Sequence, residues 1–251
     1  MKILLIIATH GNEKIGLKVA KEIKKLRIDN LIIQVGNKKA LKINKRYIDQ
    51  DLNRSFPGKK DGNYEEDRAF ELTPIIKSAD LVIDIHSTTS DVKDTLIVDR
   101  INKKTLECIE SIQPKYVVIM KKSKGSLISQ AKIGISFEYG KDNNIITLKK
   151  IIVDIKKLLN HFGLIKIKVL KNKLPTKYFD AGSIISKPEG YKLIKKIKNY
   201  TLVKQGSAYA TSKNKKLIAD EDFYPILFGE KNYKGYFGFK GKISSVSNHS
   251  N

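Results

Sequence analysis

Apolar residues along the chain fall into two kinds of run. Ile3 to Ala8 is continuously apolar and reads as a buried strand, whereas Glu13 to Leu26 spaces its apolar residues at helical intervals. Asn30 to Val35 is a second strand. Tyr64 to Ser78 reads as a helix because acidic residues crowd its first turn, where the helix dipole favours them. Leu81 to Ile85 is a further buried strand. It is followed by a strand at Thr95 to Val98, a helix at Lys103 to Ile112, strands at Tyr116 to Met120 and Ile135 to Tyr139, and a long amphipathic helix at Asn144 to Phe162. Near-continuous apolar strands alternating with helices predict an α/β fold, a largely parallel or mixed sheet covered by helices on both faces.

After Gly163 the texture changes. Leu164 to Leu170 alternates like a strand, and the rest is short β-prone pieces broken by Pro175, Gly182, Pro188-Glu189-Gly190, Gly206, Pro225 and Gly229. The expected organisation is an α/β part over residues 1–162 and a smaller β-rich C-terminal domain over 163–251. There is no low-complexity linker between them, so close packing of the two is expected. The Ser/Asn-rich tail from Ser244 to Asn251 reads as a frayed end.

Composition narrows the class. A single cysteine, Cys108, excludes a disulfide scaffold and a Cys-rich structural zinc site, and it fits a reducing compartment. Cys108 itself falls in a helical stretch as buried apolar filler. The opening run MKILLIIATH is too short for a signal-peptide core, and no segment reaches the length of a membrane span; a soluble, cytoplasmic protein is expected. The formal charge is +23, from 49 Lys+Arg against 26 Asp+Glu. The excess is +10 over residues 1–150 and +13 over 151–251, yet only five basic residues are arginine (27, 46, 54, 68 and 100). Lysines this evenly spread read as solvated background, and no nucleic-acid recognition motif accompanies them. The arginines are the more informative cations, because a planar fork binds oxygens bidentately.

Two of the four histidines end apolar strands, which is where open α/β sheets place their sites. His10 closes the first strand in Thr9-His10-Gly11-Asn12-Glu13, and His86 closes another in Asp84-Ile85-His86-Ser87. Gly11 permits a turn tight enough to bring His10 and Glu13 onto one ion. With His86 from the other strand, two imidazoles and one carboxylate are the inventory of a catalytic zinc site with an open position. Asp84 is a candidate outer-shell acceptor for an imidazole N–H. The aperiodic segment Lys45 to Gly58 holds Arg46, Asn53 and Arg54, a set able to neutralise a substrate carboxylate and polarise a carbonyl. Taken alone it would read as a solvated loop whose arginines pair with Asp49 and Asp51.

In combination, Thr9-His10-Gly11-Asn12-Glu13, Arg46-Tyr47-Ile48-Asp49 with Asp51-Leu52-Asn53-Arg54, Asp84-Ile85-His86-Ser87-Thr88-Thr89-Ser90 and Phe137-Glu138-Tyr139-Gly140 resemble the aspartoacylase and succinylglutamate desuccinylase family. These are zinc-dependent N-acyl amino acid hydrolases related to the zinc carboxypeptidases. The resemblance runs in order from residue 3 to about 162, and more weakly to about 237. It implies a zinc-carboxypeptidase-like sheet, one Zn²⁺ per chain held by His10, Glu13 and His86, Glu138 as general acid/base, and Arg46 on the scissile carbonyl. It further implies Asn53 and Arg54 on a substrate carboxylate, and Tyr233 closing over the substrate from the C-terminal domain.

Departures from the family pattern bear on the substrate. Members that act on N-acetylaspartate carry another arginine several residues before the catalytic glutamate, whereas this chain has Lys122-Ser123-Lys124-Gly125-Ser126-Leu127. Lys122 or Lys124 could replace that charge, though each reads first as a surface lysine. Gly140-Lys141-Asp142 stands where Gly-Pro-Gln is usual, and Ser87 where Asn is usual. The expected partner is a small anionic N-acyl amino acid, with neither nucleic acid nor membrane expected; a homo-oligomer is compatible with the sequence. The rival readings are a zinc carboxypeptidase acting on short peptides, and a basic nucleic-acid-binding protein that keeps the scaffold without catalysis.

Overall fold

A computed structural model describes residues 1–90, 92–121, 125–169, 175–213, 215–231 and 233–246. Its strands are β1 (Ile3–Ile7), β2 (Leu31–Val35), β3 (Leu81–His86), β4 (Thr95–Val98), β5 (Tyr116–Ile119), β6 (Gly134–Glu138), β7 (Lys177–Ser186), β8 (Lys192–Leu193), β9 (Ala208–Ser212), β10 (Lys215–Ile218), β11 (Tyr224–Ile226) and β12 (Tyr236–Ile243). Its helices are α1 (Ile15–Lys24), α2 (Lys38–Lys42), α3 (Tyr64–Ser78), α4 (Lys103–Ile112) and α5 (Ile145–His161). Nine strands form one mixed sheet in the order β11-β12-β7-β5-β4-β6-β3-β1-β2, and β10-β9-β8 form a small antiparallel sheet. The α/β reading is correct in class and in its mixed sheet.

Strand β1 shows why the sheet is covered twice. All five of its residues are buried, and they alternate between two cores. Ile3, Leu5 and Ile7 join α1, α4 and α5 on one face, while Leu4 and Ile6 join α3 on the other. Burying one such side chain contributes about 1.5–3 kcal/mol, so a strand buried on both faces must be apolar throughout. Helix α1 presents Ile15, Val19 and Ile23 at four-residue spacing to the first core. Its own N-cap residue, Lys14, makes no side-chain cap; instead Asp142 accepts a hydrogen bond from the Ile15 N–H at 2.6 Å. Helix α3 starts with a capping box in which Asn63 and Glu66 serve each other's backbone N–H groups.

Strands β1, β2, β3 and β6 run parallel, whereas β4 pairs antiparallel with β6 and leads on to β5 and β7. The direction of the sheet therefore reverses beside the C-terminal ends of β3 and β6. After residue 163 the chain does two things. Strands β7, β12 and β11 extend the main sheet beyond β5, and a third apolar cluster that includes Phe223, Phe228 and Phe237 packs near the small sheet.

One expected strand is absent among the described residues. Leu164 to Val169 forms no strand, because its backbone and side chains are used by α5 and the core. The Leu164 N–H bonds the Leu159 carbonyl, the Ile167 N–H bonds Asn160 Oδ1, and Leu164 and Ile165 pack on the first cluster. Cys108 is fully buried, and burial pushes its thiol up to about 12. No helix among the described residues is long and apolar enough to cross a membrane.

Candidate metal centre and cavity

The register of the sheet sets the site. β3 pairs with β6 so that His86 lies beside Glu138, and β1 pairs with β3 through Ile7 and Ile85. Past the end of β1, Ala8 adopts a left-handed φ of 52° and the chain turns. Gly11 sits where a Cβ would lie 2.1 Å from the Ala40 carbonyl carbon, so only glycine permits this approach of the turn to α2. The Gly11 N–H also bonds the Arg46 carbonyl at 3.2 Å, joining the first motif to the arginine loop.

His10, Glu13 and His86 form a buried group whose ligand atoms lie within 4.8 Å of one another. The Nδ1 atoms of the two rings face the two oxygens of Glu13, His10 at 2.7 Å and His86 at 3.1 Å. Both Nε2 atoms are held by other carboxylates, Asp51 at 2.9 Å from His10 and Asp84 at 2.6 Å from His86. With Nε2–H committed as a donor, each Nδ1 presents its lone pair toward Glu13. Two lone pairs and a carboxylate facing one another suit a shared cation, and the carboxylate behind each imidazole is the usual support of a metal-ligating histidine. The residues therefore fit a divalent ion.

The electrostatics agree. Burial opposes a charge on His86, but Asp84 and Glu13 outweigh it and hold the ring's pKa well above its ordinary value. His10 is raised as well, with Glu13 and Asp51 prevailing over burial and Arg46. A field that favours a proton on each ring equally favours a metal cation between them.

Arg46 approaches from the loop after α2. Its Nε and Nη2 grip Asp51 Oδ2 at 3.2 and 2.9 Å, and its Nη1 lies 3.5 Å from Glu13 Oε1. Asp51 thus ties Arg46 to His10. Asn53 and Arg54 lie in a short 3-10 turn, Leu52–Arg54, that Asp51 caps by accepting from the Asn53 N–H. Asn53 Oδ1 is occupied by the Leu127 N–H at 2.8 Å, which leaves its Nδ2 as the donor available to a ligand.

Glu138 completes the group. Its Oε2 is buried and has no hydrogen-bond partner among the described residues. Burial, joined by the charge of Glu13, pushes this carboxyl up to about 7 against the pull of His86. An unpartnered buried carboxylate oxygen is costly and calls for a ligand.

These side chains converge on one cavity of about 450 Å³. His10, His86, Glu138, Arg46, Asn53 and Arg54 line one part of it. Ile97, Met120, Ile128, Leu227 and Phe239 supply apolar wall, while Tyr233 and Tyr236 come from the C-terminal stretch. The two tyrosine rings stack at 4.3 Å, and burial raises the Tyr236 hydroxyl's pKa against the opposing charge of Arg54. Burial and the Glu138 charge push the Tyr233 hydroxyl above its usual value, so it remains a donor.

Every residue singled out in the sequence as ligand, acid/base or substrate contact thus lines this cavity or, for Glu13, the ligand group behind it. Lys122 and Lys124 lie outside the described residues. Two further side chains, Asp51 and Tyr236, adjoin the site. By sequence Asp51 is an arginine partner, and the structure adds its bond to His10 Nε2 at 2.9 Å. Tyr236 has no local sequence signal that distinguishes it.

Comparison with known proteins follows the same residues. A family model described as the succinylglutamate desuccinylase/aspartoacylase catalytic domain matches residues 1–161. A probable aspartoacylase of Nostoc sp. is 32% identical over 162 residues, covering 55% of this chain and 55% of the relative. The N-acyl-aromatic-L-amino acid amidohydrolase (carboxylate-forming) of Xenopus tropicalis is 27% identical over 187 residues, 63% of this chain and 60% of that protein. The chain thus spans between half and two thirds of the length of these relatives. Among solved structures, murine aminoacylase 3 superimposes with a TM-score of 0.82 at 18% identity, covering 96% of this chain and 95% of that one. At that identity the likeness shows the fold.

Proposed function

The chain belongs to the succinylglutamate desuccinylase/aspartoacylase family, and from that premise we propose that it is a zinc-dependent amidohydrolase of small N-acyl amino acids. It would release a carboxylic acid and a free amine. The observation that carries this reading is convergence: the His10, Glu13 and His86 group, the unpartnered oxygen of Glu138 and the arginine loop all face one cavity.

When bound, zinc supplies Lewis acidity that polarises the acyl carbonyl and makes water a nucleophile near neutral pH. Glu138 Oε2 takes a proton from the attacking water and returns it to the amide nitrogen as the C–N bond breaks. The water's hydroxyl ends on the acyl carbon, its proton on the amine. Arg46 donates to the oxygen that gains charge in the transition state. Arg54 and Asn53 Nδ2 hold the α-carboxylate, and the Tyr233 hydroxyl donates from the opposite wall.

The walls bear on the substrate. Relatives include probable aspartoacylases and an amidohydrolase of N-acyl aromatic amino acids. Here the described lining residues carry cations only at Arg46 and Arg54, and much of the remainder is apolar. Those two cations can serve the α-carboxylate, and the apolar wall suits an uncharged apolar side chain or acyl group better than a second carboxylate. The test is a panel of N-acetyl, N-formyl and N-succinyl amino acids with zinc-loaded protein, scored by amine released. N-acetylphenylalanine and N-acetylleucine should exceed N-acetylaspartate in kcat/KM, a chelator should abolish the activity, and Glu138→Gln should lower kcat by roughly 100-fold or more. Undiminished turnover in Glu138→Gln would remove the acid/base assignment, and preferred cleavage of peptides longer than a dipeptide would favour a carboxypeptidase.

A further inference from the structure

We propose that Glu65, which does not line the cavity, is a positioning residue that holds the arginine loop and so sets discrimination for the substrate carboxylate. The proposal rests on the reading of Arg46, Asn53 and Arg54 given above.

Glu65 is in the first turn of α3 and is fully buried. Four donors converge on its carboxylate. Oε1 accepts from the Ile48 N–H at 2.7 Å and from Asn37 Nδ2 at 2.8 Å, and Oε2 accepts from the Asp49 N–H at 2.9 Å and the Gln50 N–H at 3.3 Å. Three successive backbone N–H groups aimed at one anion form a nest, which lies within the segment from Arg46 to Arg54. The clasp is mutual, since Asp49 Oδ2 accepts from the Tyr64 N–H of α3 at 3.0 Å.

From this anchor the network runs directly to the working side chains. Gln50 Nε2 bonds Ser55 Oγ, Ser55 Oγ bonds the Asp51 carbonyl, and the Asp51 carboxylate holds both Arg46 and the Asn53 N–H. Asn37, the fourth donor, spends its Oδ1 on the Ala40 N–H and thereby caps α2. Its neighbour on α3, Arg68, binds the carbonyls of Val35 and Gly36 at 2.7 Å each. One buried helix face thus presents an anion to the loop's N–H groups and a cation to the carbonyls that end β2. A carboxylate at position 65 can only accept, as these donors require. Glutamine keeps the shape but turns an N–H₂ toward N–H groups.

The experiment compares Glu65→Gln and Glu65→Asp with wild-type protein, all zinc-loaded, on an N-acyl amino acid and its α-carboxamide. The readout is the ratio of kcat/KM for the acid to that for the amide, which does not depend on the fraction of active molecules. Glu65→Gln should lower this ratio by about tenfold, mainly through KM for the acid, because charge-assisted hydrogen bonds to the carboxylate are lost. Zinc per chain should be unchanged. Glu65→Asp keeps the charge with a shorter reach and should fall between the two; it also serves if Glu65→Gln does not fold. An unchanged ratio in both variants would overturn the proposal and leave Glu65 a purely structural residue. Calorimetric binding of the same pair in a Glu138→Gln background reports the discrimination without turnover. If that binding prefers the acid in a Glu65-dependent way although wild-type protein releases no amine, the hydrolase reading fails and the loop assignment stands.

Discussion

Asp51 is the residue on which most of the site's polar chemistry meets. One oxygen takes His10 Nε2 and the Asn53 N–H, and the other takes the Arg46 guanidinium. Burial would raise its pKa, but the hydrogen bond and charge of His10, with Arg46, hold the carboxyl well below the ordinary range. On the proposed function, the ring that would hold the ion and the arginine that would polarise the carbonyl are therefore coupled through one anion. Asp51→Asn should weaken metal affinity on the order of 10-fold to 100-fold, as loss of such supporting acceptors does, and should lower kcat as well. Competition with a graded chelator and steady-state kinetics measure the two; a metal affinity equal to wild type would uncouple His10 from Asp51. His10, Glu13 and His86 were recognisable in the sequence because metal-ligand chemistry uses few residue types at short spacing. Asp51 was hidden because aspartate beside arginine has so many ordinary explanations.

Among the elements, helices and long strands were legible and loops were not. Periodicity marks α1, α4 and α5, since each buries one apolar face, the acids of its first turn mark α3, and apolar continuity marks β1 and β3. The loop from Arg46 to Arg54 has no such signature, because its order comes from α3 and from residues 125–127. The Phe56 N–H bonds the Gly125 carbonyl at 3.1 Å, and the Leu127 N–H bonds Asn53. Gly125 has a φ of 85°, and a Cβ there would lie 2.5 Å from the Arg54 carbonyl oxygen. Gly125→Ala should therefore displace the Arg54 backbone and raise KM for a carboxylate substrate severalfold. It should also cost about 1–2 kcal/mol of stability from the left-handed conformation alone. Denaturant unfolding and KM together check this; a KM at the wild-type value would mean that Arg54 is held independently of Gly125. Leu164 to Val169 shows the opposite failure, an alternation that reads as strand yet serves to seat the chain on α5.

Over the whole molecule the +23 charge has a defined place. Lysines on solvated faces create a positive field that concentrates anions near the surface, an effect screened beyond roughly 10 Å at 0.1 M salt. For an N-acyl amino acid anion, kcat/KM should fall severalfold as salt rises from about 0.01 M to about 0.5 M, while the α-carboxamide should show little change. Equal salt dependence for both would assign the lysines no part in substrate capture. By itself, the sequence determined the α/β class and the two histidine-bearing strand ends, because burial periodicity and ligand spacing are local. Only the tertiary structure decided which ring nitrogens face Glu13, that β7 and β12 extend the same sheet to wall the cavity, and that Glu65 anchors the loop. Those depend on contacts between residues far apart in the chain, such as His86 with Glu138 and Asn53 with Leu127, and on which hydrogen-bonding atoms remain after every other buried donor and acceptor is satisfied.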